Sequence, residues 1–221
     1  MNSFGPDMLF RGFLYYMAFL FSTTCHEAAH ALVAKWGGDS TAEKGGQVSL
    51  NPIPHIRQSP YGMVVFPLLS FFLMGGGMIG FASAPYDPYW ARRHPHRAAW
   101  MALAGPATNF TLMILAAILL RIGTLMGWVQ WSPVYGSGNF VTICLLIFFS
   151  LNLLLGVFNL LPVPPLDGSS AIMLFMNERQ ANSYQNLISS TNFAIPGLLV
   201  GLVVFKFVFP PIQAVVVRLL L

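Results

Sequence analysis

The sequence predicts an all-α membrane protein: a polytopic helical bundle of about five apolar segments, one a candidate re-entrant hairpin, with a short β element after the first helix. Three observations carry that expectation. Apolar residues make up 56% of the 221 and charged residues only 8%, against roughly 25% charged in soluble domains. The apolar residues gather in runs near the length of about 20 that one helical crossing needs. The runs are parted by short stretches rich in Gly, Pro and basic residues, which punctuate helices. One domain, 1–221, accommodates all of this.

The first run, Met8 to Lys35, reads as a long helix retained in the mature chain, since no basic leader precedes it and no small-residue cleavage site follows. Between Gly37 and Pro60, glycines surround Gln47-Val48-Ser49-Leu50, whose polar/apolar alternation suggests a short strand. The second run, Tyr61 to Ala84, contains Pro67 and Gly75-Gly76-Gly77, which invite a bend or a re-entrant hairpin. Ala98 to Leu120, Phe140 to Leu161 and Phe193 to Phe209 read as further crossings. Lys35, Lys44, Arg57, Arg92, Arg93 and Arg97 all fall between the first and third runs, and the loop 122–139 has no basic residue. By the positive-inside rule, residues 36–59 and 85–97 share the cytosolic face, so the second run enters and leaves on that side.

The formal charge of +4 forms no basic stripe or tail, which argues against a nucleic-acid partner. Cys25 and Cys144 lie in apolar runs without CxxC spacing, and no disulfide framework is expected.

Residues 26–30 read His-Glu-Ala-Ala-His. On a helix, histidines four apart share a face and converge on one ion, with the intervening glutamate beside them. Neutral imidazoles in such a site bind zinc, and the glutamate acts on water without ligating. The bland alternative is a solvated helix end, but His26 lies nine residues before Lys35, roughly 13 Å deeper at 1.5 Å per residue. An acid at that depth costs about 2.5–3.5 kcal/mol and needs compensation.

A catalytic zinc needs a third protein ligand. Of the seven acids, Asp7, Asp39, Glu43, Asp87 and Glu178 lie outside the apolar runs, leaving Glu27 and Asp167. Asp167 follows Asn159-Leu160-Leu161-Pro162-Val163-Pro164-Pro165-Leu166, where the prolines stop a helix and open backbone onto a cavity. One Zn²⁺, one ligating Asp, one Glu and two neutral histidines sum to zero charge, the cheapest way to bury them. An ordinary loop aspartate or helix cap is the competing explanation of Asp167.

Three stretches taken in order, His26 to His30, Gly105-Pro106-Ala107-Thr108-Asn109, and Asn159 to Gly168, resemble the signatures of the site-2 protease family of intramembrane zinc metalloproteases. With Val48 to Ile56, they look like its small bacterial and archaeal branch; residues 9–170 are covered, and Arg57 departs from the aspartate common there. The resemblance implies a catalytic core over about 8–170 followed by a C-terminal span over about 191–209. It implies His26, His30 and Asp167 on one Zn²⁺, Glu27 as general base, and Asn159 and Asn109 near substrate or oxyanion. It further implies single-pass or membrane-anchored protein substrates, and a prokaryotic inner membrane with the site nearer the cytosol. Asn109 with Gly105-Pro106 also suits plain close helix packing.

Lesser candidates are His55, either at the cleft or solvated in its proline-rich loop, and His94 and His96 in a basic turn. A prenyl-protein type of zinc protease would need a buried glutamate as third ligand, and a di-iron oxidase would need more than five histidines. A catalytically silent membrane scaffold or chaperone that retains the metal site is the non-enzymatic alternative.

Overall fold

A computed structural model describes residues 5–132, 137–188 and 193–221. The first run forms α1, Pro6–Trp36, begun by Pro6 in its first turn with Asp7, and closed by Lys35 and Gly37. Proline at the start, acid in the first turn and base in the last all suit the helix ends. Gly12 lies against the Phe71 ring, where a Cβ would collide.

Two short helices follow, α2 (Thr41–Lys44) and α3 (Pro52–Gln58). The strand expected at Gln47 to Leu50 does not form. Gln47 N–H donates to the Ala42 carbonyl, the Asn51 N–H to Ser49 Oγ, and the Ser49 carbonyl accepts from His55 Nε2–H. These local bonds use up the donors and acceptors that a ladder would need. Among the described residues, the β structure is one antiparallel pairing of Trp131–Ser132 (β1) with Ser137–Gly138 (β2).

The second run doubles back. A π-helical turn, Tyr61–Val65, leads into α4, Phe66–Leu73. Gly75 and Gly76 then take positive φ, 61° and 104°, a region glycine enters without a Cβ penalty. The chain returns extended, with Phe81 N–H on the Gly62 carbonyl and Ser83 N–H on Ser59 Oγ.

α5 (Pro88–Arg93) precedes α6, Pro95–Leu125, with Pro106 inside it. α7, Phe140–Asn159, is capped by the Asn139 side chain accepting from Thr142 N–H, a usual N-cap bond. After the proline-rich turn come α8 (Asp167–Ala171), a 3₁₀ turn (Ile172–Phe175), α9 (Glu178–Ile188) and α10 (Ala194–Leu220). The last helix thus continues through Pro210-Pro211, beyond the expected end at Phe209; residues 191–192 of the expected span lie outside the described residues.

Among the described residues three helices, α6, α7 and α10, are long and apolar enough to cross a membrane, so the count of five segments is corrected to three. The reasons are visible in the other two. α1 turns Ser22, Thr23, Thr24, His26, Glu27 and His30 inward, all buried, which lowers its apolarity. The second run stops being helical at Leu73.

α6 is the central helix, packed against α1, α7 and α8. Its apolar core with α7 joins Met113, Ala116, Ala117, Leu120, Phe149, Leu153 and Val157. α10 lies outside, against α7 through Phe158 and Phe205, whose ring centroids are 5.2 Å apart. The two basic loops come together at one end. Asp87 N–H donates to Asp39 Oδ2, and Trp90 Nε1–H and Arg97 both donate to the Gly37 carbonyl.

Candidate metal centre

α1 carries His26 and His30 one turn apart, both buried. Opposite them, α7 ends at Asn159 and the chain turns through Pro162, Pro164 and Pro165 into α8, which begins at Asp167. Gly168 makes that approach possible, since a Cβ there would strike the Leu160 and Leu161 carbonyls at the end of α7.

Residues 141 positions apart thereby meet. His26 Nε2 lies 3.1 Å and His30 Nε2 3.4 Å from Asp167 Oδ2, and the two Nε2 atoms are 3.0 Å from each other. Three ligands about 2.0–2.2 Å from one tetrahedral ion stand roughly 3.3–3.6 Å from one another, a few tenths of an ångström wider than the spacing seen here. The spacing is therefore near that of a single ion of that kind.

The chemistry of the donors fits as well. His30 Nδ1–H donates to the Met101 carbonyl at 2.7 Å; a carbonyl only accepts, so His30 Nε2 presents a bare lone pair in the neutral ring. His26 Nδ1 is 2.6 Å from Asn109 Oδ1. Two imidazole lone pairs and a carboxylate oxygen converging without a donor repel one another unless a cation sits among them. Gly105 of α6 closes the floor, for a Cβ there would collide with both Nε2 atoms.

Glu27 does not belong to this group of three. Its side chain is buried beside them on α1, and its Oε2 has no hydrogen-bond partner. A buried carboxylate oxygen left alone is costly, and such orphans mark places where water or substrate completes the bonding.

The remaining expected residues are placed differently. Asn109, expected near substrate or oxyanion, lies behind His26 and is fully buried. Its Oδ1 serves His26 and its Nδ2–H donates to Asn152 Oδ1 at 2.9 Å, which leaves no free face for a substrate. Asn159 is half-buried, its Nδ2–H on the Leu155 carbonyl of its own helix. His55 is neither solvated nor among the three: its ring is buried, with Nε2–H on the Ser49 carbonyl at 2.9 Å. His96 ties the start of α6 to the Met176 carbonyl, and His94 packs beside Trp90. Asn152, Ser22 and the Met101 carbonyl carry no motif of their own, and the only hint of the two side chains in the sequence is polarity inside apolar runs. Gly105 opens the stretch to Asn109, where it reads only as close helix packing.

Comparison with known proteins identifies the family. The model of peptidase family M50 matches residues 121–200. YwhC of Bacillus subtilis, described as a candidate zinc metalloprotease, is 33% identical over 168 residues, 71% of this chain and 70% of its own length. Rip2 of Mycolicibacterium smegmatis, described likewise, is 33% identical over 158 residues, covering 72% of this chain and 55% of Rip2. A third such protein, MJ0611 of Methanocaldococcus jannaschii, is 33% identical over 78 residues, 35% of each chain. No solved structure matches.

Proposed function

Because the chain belongs to peptidase family M50 and is a zinc metalloprotease, we propose that it hydrolyses peptide bonds of transmembrane or membrane-anchored proteins, using His26, His30 and Asp167 to hold one zinc ion and Glu27 as general base. The observation that carries this reading is the convergence of three acceptor atoms beside a carboxylate oxygen that has no partner of its own. When bound, zinc supplies Lewis acidity toward the scissile carbonyl and activates water.

The protein's part follows from its side chains. The Met101 carbonyl and Asn109 hold the two imidazoles by their Nδ1 atoms, so neither ring needs to reorient during turnover. Glu27 Oε2, buried and unpaired, is available to take the proton of the attacking water and return it to the departing amine. Burial of Glu27 and both histidines excludes bulk water and strengthens these electrostatic contacts. Asp167 is the most open of the four, its side chain 22% exposed, which favours substrate entry from the proline-turn side.

The three apolar helices support a bilayer as the working medium. The shared end of the basic loops, joined by the contacts of Asp39, Trp90 and Arg97, favours a cytosolic orientation of that end, with the metal centre about nine residues along α1 from Lys35.

The test is a purified chain offered a membrane-anchored peptide, with zinc content measured in parallel. Glu27→Gln should retain zinc and lose about 10²–10⁴-fold in cleavage rate. Zinc uptake without any Glu27-dependent cleavage would replace the protease with a metal-holding scaffold.

A further inference from the structure

We infer that Asn152 on α7, which touches no metal ligand, sets the orientation and tautomer of His26 through Asn109, making it a positioning residue of the metal centre; this rests on His26 being a ligand, as proposed above. Four polar side chains form a hydrogen-bonded chain across three helices. His26 Nδ1 meets Asn109 Oδ1 at 2.6 Å, Asn109 Nδ2 meets Asn152 Oδ1 at 2.9 Å, and Asn152 Nδ2 meets both Ser22 Oγ and the Phe148 carbonyl at 2.9 Å. Ser22 and His26 are one turn apart on α1, so the hydrogen-bonded chain leaves that helix and returns to it. Asn109, Asn152 and Ser22 are each 0% exposed, which leaves no water to substitute for a missing partner.

The direction of these hydrogen bonds is dictated at the far end. The Phe148 carbonyl can only accept, so the Asn152 atom facing it must be the NH₂ group. Asn152 then presents its oxygen to Asn109, whose facing atom must in turn be NH₂. Asn109 therefore offers its oxygen to His26, and His26 Nδ1 must carry the proton. The neutral ring is left with its lone pair on Nε2, the atom 3.1 Å from Asp167 Oδ2, which is the form that binds a metal. Flipping either amide would set oxygen against oxygen or NH₂ against NH₂ in a dry interior. A main-chain carbonyl of α7 thus selects the tautomer of a ligand on α1, and Ser22 accepts the second amide hydrogen without altering that choice.

The measurement is zinc affinity of the full-length protein in detergent, by chelator competition, beside the thermal midpoint of the zinc-free form. Asn152→Leu should weaken zinc about 10–100-fold, the usual effect of losing a partner behind a ligand, in a zinc-free form that still unfolds cooperatively, with its midpoint lowered by no more than one orphaned buried amide costs. Asn109→Leu should cost as much, and the double variant no more than either single one, because both act through one hydrogen bond. Asn152→Asp, neutral when buried, still accepts from Asn109 and donates its O–H to Phe148, so it should bind zinc as the wild type does. Ser22→Ala should also stay close to wild type.

A folded Asn152→Leu protein with wild-type zinc affinity overturns the proposal, as do additive losses in the double variant. Should Asn152→Leu fail to fold, Asn152→Ser takes its place; loss of the fold in both assigns Asn152 to packing alone and also overturns it. A wild-type chain that takes up no zinc overturns the metal reading itself, and the relay with it.

Discussion

At the scale of single residues, the centre depends as much on what is missing as on what is present. Gly105 has no side chain because the two imidazole Nε2 atoms occupy the place where one would project. Gly105→Ala should therefore push α6 away from α1 or turn the rings, at about 1–3 kcal/mol for overpacking. Zinc uptake should fall at least tenfold in a protein whose helix content is unchanged, as circular dichroism and metal analysis together would show. Glycine here concerns distance: the residue lies within α6 and is not among the positive-φ glycines. The same logic holds at Gly168, where a Cβ would strike the carbonyls that end α7 and so displace the neighbouring Asp167.

At the scale of elements, the loop after α1 is tied to the segment before α5 by one carboxylate. Asp39 accepts from the Thr41 N–H and hydroxyl and from the Asp87 N–H. Burial alone would raise its pKa, but these bonds and the nearby Lys44 charge outweigh burial and hold it below the usual carboxylate value. A depressed folded-state pKa contributes stability that is present above the unfolded value and lost as pH falls through the folded one. Hydrogen exchange should report this directly. The Thr41 and Asp87 amides should stay protected at neutral pH and lose protection on acidification below the ordinary aspartate range, and Asp39→Asn should weaken that protection at neutral pH and abolish its pH dependence. The basic ends of α1 and α5 would then separate first, since both loops meet at this point. Lys35 and Glu43, 2.7 Å apart but both exposed, contribute little to holding them.

At the scale of the whole molecule, the candidate ion would join α1 to α8 across 141 residues of chain. Anything that binds the folded state alone stabilises it, by about 2.7 kcal/mol when the free ligand is a hundredfold above its dissociation constant. Chelation should accordingly lower the thermal midpoint, and zinc should restore it, whereas in Asp167→Asn the two midpoints should coincide. α10 completes the bundle from outside. The Gly197 Cα faces the Pro164 carbonyl of the proline turn and Gly201 lies near Leu166, so the last helix braces the segment that presents Asp167. Only 6% of its most apolar window is buried by protein, and lipid is the natural cover for the remainder.

The residues at the centre were legible because their signals are local. Two histidines at helical spacing, one acid between them, and prolines that stop a helix just before an aspartate are each contained within about ten positions of chain, and short-range geometry acts on them directly. The alternation at Gln47 to Leu50 misled for the opposite reason. A strand exists only if a partner lies beside it, and local bonds such as that to the Ala42 carbonyl decided otherwise; in the stretch from Tyr61 to Ala84 the glycines that suggested a hairpin are local again, and Gly75 and Gly76 do take positive φ. Nothing in the chain's order marks Asn109, Asn152 and Ser22 as one hydrogen-bonded group, because each gains its partner from a different helix. Sequence alone determined which groups are candidates for the chemistry, since residue type and spacing along one helix are one-dimensional facts. Tertiary structure alone decided which atom of each faces the candidate metal site, since a hydrogen bond between helices has a direction that only their packing sets.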